Sequence, residues 1–498
     1  RQTVLTGFLL DGALADLVVV TLDAKDDRHL HLYRHDESTW TKTLAATLGS
    51  EVVFVDVAEI GGRDRLITYE PGRLNWFDPK SATERPLVAA RSNFSPPRAD
   101  EIPHVDVSQD VNGDGRDDLV VPEADGFLVF VQTNSGTFEN PVKIGPAPDL
   151  GGIYGADGYR YDPWSRSRIY EIDFNHDGRV DLAYWNDDHF EVHLQVEDGR
   201  FVPETRTFTT TVAFDSDDLY SLAAGDMAGR VLHSLADLNG DGVTDLVVFS
   251  LSGKSISDKR SAYEVHFGSP TADGGIAFAA DMSIWFQSED RIQLRLDRHD
   301  FDQDGQTDLM LTTIHTRFLE RSLWKEIKGA MGDDVWLELE FYRMEDGVFS
   351  DEPNAIRRLA LDGSPSHREP GWVPLDLVLR GGTHESRKTP NRWPRSFNTN
   401  SFVGDVTGDG RADLLIESSF RDLLVFTGVR GPNLFAERPV SISVLLPNDR
   451  EYSWQADLNK DGKQDILLHQ PYTLRDIHGA PVHPPGTEPH RLTVLIAR

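Results

Sequence analysis

The sequence repeats one nine-residue pattern six times, Asp-x-Asn/Asp-x-Asp-Gly-x-x-Asp, and each copy runs directly into an apolar, β-prone stretch. The copies are Asp110, Asn112, Asp114, Gly115, Asp118; Asp173, Asn175, Asp177, Gly178, Asp181; Asp237, Asn239, Asp241, Gly242, Asp245; Asp300, Asp302, Asp304, Gly305, Asp308; Asp405, Thr407, Asp409, Gly410, Asp413; and Asp457, Asn459, Asp461, Gly462, Asp465. A chain of 498 residues would ordinarily divide into about three domains. Internal repeats override that expectation, because each unit buries its apolar face only by packing on the next.

The pattern has a chemistry. Calcium takes six to eight hard oxygen ligands, and a tight loop supplies them when positions one, three and five point inward. Glycine at position six permits the sharp turn. Position seven offers only its backbone carbonyl, so Arg116, Arg179, Val243, Gln306, Arg411 and Lys463 can differ freely there. Position nine adds a further carboxylate. No glutamate follows at position twelve and no helix flanks the loop, since Leu119 to Val121, Leu246 to Phe249 and Leu414 to Ile416 read as strands. One such cluster alone would be an ordinary Asx turn. Six clusters of three or four carboxylates call for a counter-charge, and four to six Ca²⁺ ions are expected. Six ions would bring the formal charge from −32 to about −20. Thr407 makes the fifth loop the expected weak site.

The ninth-position aspartates stand 63, 64, 63, 105 and 52 residues apart, a period that suits a four-stranded blade. Two degenerate corners precede them: Asp16 leads into Leu17 to Val20, and Gly62-Arg63-Asp64-Arg65-Leu66 mirrors Gly115 to Leu119. There Arg65 replaces the last carboxylate and is expected to stand in for a cation, so neither corner should hold calcium. The fold class is therefore all-β, a single closed β-propeller of eight four-stranded blades, with seven as the other count. Approximate blades are 1–48, 49–98, 99–160, 161–225, 226–288, 289–363, 396–448 and 449–498, with a basic insertion at 364–395. The N-terminal strand is a candidate to complete the last blade beside Arg491 to Ala497.

These loops resemble those of the FG-GAP/VCBS repeat family, which includes the integrin α-subunit propeller. Fragments such as Phe267-Gly268-Ser269-Pro270 and Gly145-Pro146-Ala147-Pro148 carry the rest of the likeness. The resemblance implies a propeller with calcium at strand corners, used outside the cytoplasm for adhesion, glycan binding or complex assembly. It does not imply one ligand.

Function on a propeller sits on long loops. Gly151 to Arg168 carries Tyr159, Tyr161, Trp164, Arg166 and Arg168, suited to stacking on sugars or anchoring an interface, with packing over a blade as the competing reading. His315 to Lys328 spaces Leu319, Leu323 and Ile327 as a short helical insertion. Ser364 to Asn400 is locally basic, and Arg387, Lys388, Arg392 and Arg395 form a candidate docking arm for an anionic partner.

No nucleophile elbow, zinc helix or phosphate loop appears. A calcium-dependent polysaccharide lyase is the enzymatic alternative to a binding scaffold. With 82 acidic against 50 basic residues, nucleic acid is not an expected partner; a protein or glycan ligand is. Cysteine is absent and the first residue is Arg1, which fits an exported chain whose leader was removed. No apolar run is long enough to span a membrane.

Overall fold

The computed structural model describes residues 2–497 apart from 11, 24, 37–38, 93–101, 149–159, 162, 218–227, 255–257, 289–290, 316–334, 362–394, 397–400, 420–421, 432, 447–452 and 471–490. It is an all-β propeller of eight four-stranded blades, built from antiparallel neighbours in sequence order. The second strands are Asp16–Leu22, Asp64–Glu70, Asp118–Glu123, Asp181–Asn186, Asp245–Ser252, Asp308–His315, Asp413–Ser419 and Asp465–Gln470. Every one of them begins on an aspartate, and in six blades that residue is the ninth of the repeat.

Two compact units make up the chain. The first comprises Arg1–Thr209 with Leu458–Asp461 and contains blades one to four. Its second blade gains two short parallel strands, His104–Val105 and Arg160–Tyr161, beside the first strand Phe54–Glu59. The second unit comprises Thr210–Asp457 with Gly462–Arg498 and contains blades five to eight.

Adjacent residues of a strand point to opposite faces, and both faces of these blades are covered. Leu119 and Val121 join a core cluster with Phe54, Tyr69 and Leu74 of the second blade, while Val120 between them joins Leu182 and Phe201 of the fourth. In the second unit Leu414 and Ile416 pack with Phe301 and Phe341, and Leu415 turns to Ile466 and Leu468. The second strands therefore read as continuous apolar runs rather than alternating ones. Each fully buried Leu or Val contributes about 1.5–3 kcal/mol.

The N-terminal strand Gln2–Gly7 pairs with Asp16–Leu22 in its own first blade, so it does not complete the last one. The eighth blade takes its fourth strand from Arg395–Ser396, which pairs with Ser453–Ala456 on the side away from Arg491–Leu495. Gln2–Gly7 is drawn to the first blade because Val4 and Leu5 bury there and its register with Asp16–Leu22 is unbroken over six pairs. The helix expected over 315–328 lies outside the described residues; the helix described is the single turn Pro163–Arg166.

Candidate functional site

The six repeat loops fold alike because the first aspartate organises each one. Its Oδ2 accepts the amide of the position-six glycine at 2.9 Å in all six, from Asp110 with Gly115 to Asp457 with Gly462. Those glycines have φ between 80° and 90°, a left-handed conformation that a side chain would strain. In five loops, all but that of Thr407, the third side chain accepts the amide of position five, as Asn112 Oδ1 does from Asp114 at 3.1 Å and Asp302 Oδ1 does from Asp304 at 3.3 Å. In the first five loops the fifth side chain accepts the amide of position seven.

Position nine does a different job. Asp118, Asp181, Asp245, Asp308, Asp413 and Asp465 are all 0% exposed. In five of them Oδ2 accepts the position-two amide, as from Phe174 to Asp181 at 3.0 Å. In all six Oδ1 accepts an amide just beyond the third strand, from Gln132, Gln195, Gly268, Met344, Gly428 or Ala497. The ninth aspartate is thus a clamp between corner and third strand. Burial raises the carboxyls of Asp118, Asp181, Asp245, Asp308 and Asp413, to about 6 for Asp181 and Asp245 and about 7 for Asp308, against the lowering effect of the amide bonds.

The donor set fits a hard cation. Asp300, Asp302 and Asp304 each bring one carboxylate oxygen to within 4.8 Å of the others. Oxygens around a calcium ion at about 2.4 Å lie no more than about 4.8 Å apart, so these three can share one ion. The other loops place Asn or Thr at position three. Arginines answer the outer oxygens: Arg116, Arg179 and Arg411 pair with Asp114, Asp177 and Asp409, and Arg343 reaches Asp302 at 2.5 Å. In the fifth loop Thr407 donates its amide to Asp413 at 2.9 Å.

The first corner keeps the full loop length but carries Phe8, Leu10 and Gly12 at positions one, three and five, leaving only Asp16. Asp16 Oδ2 accepts the Leu10 amide at 2.7 Å, and burial raises its carboxyl to about 6. The second corner is a two-residue hairpin turn, with Gly61 and Gly62 at φ 62° and 74° and Ile60 N–H donating to Arg63 O at 2.8 Å. Arg65 does not fill a cation position, because so tight a turn encloses none; its guanidinium lies 4.2 Å from the Trp76 ring.

Sequence reasoning missed a pair of glutamines. Gln132 and Gln195 each lie 14 residues after a ninth aspartate that binds their amide nitrogen. Their side-chain Nε2 atoms donate to the preceding blade's corner, Gln132 to Glu59 O at 2.8 Å and Gln195 to Asn112 O at 2.7 Å. The recurrence of Gln at one offset was the available signal. Position four was also missed: Gly113, His176, Gly240, Gln303, Gly408 and Lys460 all have φ between 58° and 76°.

Of the ligand candidates, Trp164 is 4% exposed and packs edge-on against Phe127 at 5.1 Å, inside the blade core. Arg166 ends the helical turn, Tyr161 is paired in the second blade's sheet, and Arg168 is half-buried with φ 54°. Arg395 belongs to the eighth blade's short strand. Tyr159, Arg387, Lys388 and Arg392 lie outside the described residues.

Residues 173–248 match the family model described as an FG-GAP-like repeat. No curated protein matches the chain. Among solved structures it is similar to an Agrocybe aegerita lectin that recognises non-reducing terminal N-acetylglucosamine, at 14% identity over 73% of this chain and 81% of the lectin, TM-score 0.35. It is also similar to the Photorhabdus luminescens Tc holotoxin pore, at 15% identity and TM-score 0.33 over 89% of this chain, which spans 17% of that one. A V. cholerae biofilm matrix protein aligns at 10% identity over 97% of this chain and 84% of its own, TM-score 0.33.

Proposed function

We propose, taking as premise a β-propeller in which residues 173–248 are an FG-GAP-like repeat, that the chain is a calcium-loaded scaffold working outside the cytoplasm to hold a protein or glycan ligand. The observation that carries the calcium reading is the convergence of Asp300, Asp302 and Asp304, in a loop whose aspartate-to-glycine bond recurs in the other five repeat loops. Positions one, three and five, with the position-seven carbonyl, would hold the ion, and it would neutralise carboxylates that otherwise repel one another. The ninth aspartate, with both oxygens on amides, joins the ion's shell only by sharing an oxygen already in use.

No helix among the described residues is long and apolar enough to cross a membrane. The absence of cysteine is compatible with an oxidising compartment without requiring it. Metal analysis of protein dialysed against calcium tests the reading. Four to six ions per chain are expected, with about one lost in Asp241→Ala and none in Asp16→Ala. Protein that retains no calcium would overturn it.

A further inference from the structure

The second blade carries a two-glycine turn where the third blade carries an acidic loop, and the sheet face beside that turn is basic. Ile67 stands opposite Trp76, and Trp76 opposite Arg85 on the next strand. Arg65, two residues before Ile67, shares that face and reaches Trp76 diagonally, as long side chains on adjacent strands can. The guanidinium carbons of Arg65 and Arg85 lie 4.2 and 5.4 Å from the Trp76 ring centroid. Trp76 itself is anchored, packing against the core cluster of Phe54 and Tyr69.

The charges are unevenly answered. Arg85 pairs with Asp78 at 2.6 Å, and Asp78 is further engaged by the Lys80 amide and the Ser81 hydroxyl. Arg63 is exposed at the turn and Arg65 half-buried, and neither forms an ion pair among the described residues. Arg65 spends its Nε–H on Ile60 O at 3.3 Å, and no carboxylate among the described residues forms an ion pair with its terminal nitrogens. Burial, and then the charge of Arg63, hold Arg65 below the ordinary guanidinium range against the opposing charge of Asp78. Asp78, already paired with Arg85, is the carboxylate that acts on Arg65, so Arg63, Arg65 and Arg85 together outnumber it and leave a surplus that a ligand can meet. The chain's overall negative charge does not forbid this, since charges beyond about 8 Å are largely screened at physiological salt.

We propose that Arg63 and Arg65, beside Trp76, form a binding site for an oxyanion, a carboxylate or sulfate group carried by a ligand. A guanidinium offers paired N–H donors in the planar geometry such a group accepts, and Trp76 supplies an apolar wall that keeps Arg65 in place. The site lies at a corner without calcium-type ligands, so it stands or falls independently of the calcium reading.

The test titrates the full chain with galacturonate and, separately, with sodium sulfate, following tryptophan fluorescence, with and without bound calcium. Saturable binding is expected in both calcium states. Arg63→Gln and Arg65→Gln are each expected to weaken it at least about ten-fold, the loss of a hydrogen bond to a charged group. Arg73→Gln, on an exposed pair with Glu70, is expected to leave it unchanged. Tighter galacturonate than sulfate would identify a carboxylate ligand, and the reverse a sulfate. Should Arg65→Gln lower the melting temperature, Arg63→Gln at the exposed turn decides. Absence of saturable binding by either probe, or undiminished affinity in Arg63→Gln, would overturn the proposal.

Discussion

Asp16 shows how one buried carboxyl sets a pH dependence. Its Oδ2 takes the Leu10 amide, its Oδ1 has no hydrogen-bond partner among the described residues, and burial raises the group from 3.8 to about 6. The sign follows from proton linkage: a raised acid binds its proton longer in the folded state, so stability falls as pH rises through the interval between the two values. Below about pH 4 the carboxyl is neutral in both states and nothing is lost; above about pH 6 the loss is complete. Asp16→Asn removes this dependence. The difference in melting temperature between variant and wild type is expected to grow in the variant's favour from pH 4 to pH 6 and then level off. A difference that stays flat across that interval would show that Asp16 ionises freely in the fold. The position of Asp16 was legible from the Leu17 to Val20 run that follows it. Its hold on the Leu10 amide was not, because residue spacing shows which types recur and not which amide each one meets. Trp164 shows the same limit: its neighbours in sequence left a surface platform and packing over a blade both open, and Phe127, 37 residues earlier, draws it into the core.

Among the elements, the corner loop and the next blade's hairpin behave as one piece. Gln195 is held at its amide by Asp181 and reaches back to Asn112 O, while Asn112 Nδ2 donates to Gly199 O at 3.2 Å on the neighbouring hairpin. Gln195→Ala leaves the buried Asn112 carbonyl without that donor, and a loss of about 1–3 kcal/mol in denaturant unfolding is expected. An unchanged midpoint would mean that water or a rearranged side chain replaces the amide. Strand identity and corner position were readable in advance because every second strand is a buried run that starts on an aspartate. The added strands were not: His104–Val105, Arg160–Tyr161 and Arg395–Ser396 are two residues each, too short for any periodicity to register. The shortened second corner was half readable, since Gly61-Gly62 marks a two-residue hairpin, yet alignment to the longer loops placed Arg65 where no loop exists.

For the molecule as a whole, charge sets the conditions under which the fold is stable. A net charge near −32 opposes compaction, and ion binding at the corners would relieve it where the carboxylates are closest. Extracellular calcium modules bind with Kd around 10⁻⁴ to 10⁻³ M, so at ~2 mM calcium each site adds roughly 0.6 to 1.8 kcal/mol. Six independent sites would add about 4 to 11 kcal/mol, comparable with the entire stability of many domains. Chelation is therefore expected to lower the melting temperature markedly, calcium to restore it, and equimolar magnesium largely not to. Identical melting with and without chelator would leave the loops as acidic turns. The blade count was readable because the repeat counts blades, six directly and two through degenerate corners.

The glutamine bridges also bear on how such a chain can be cut and rejoined. Gln132 and Gln195 are fixed in one blade and spend their amides on the blade before it. A graft made at the sheet boundaries would separate each donor from its carbonyl and bury both unmet. A graft running from one corner turn to the following hairpin would carry both partners together. The portable segment in this chain, for chimeras and circular permutants alike, is therefore offset from the visible blade by about half a repeat.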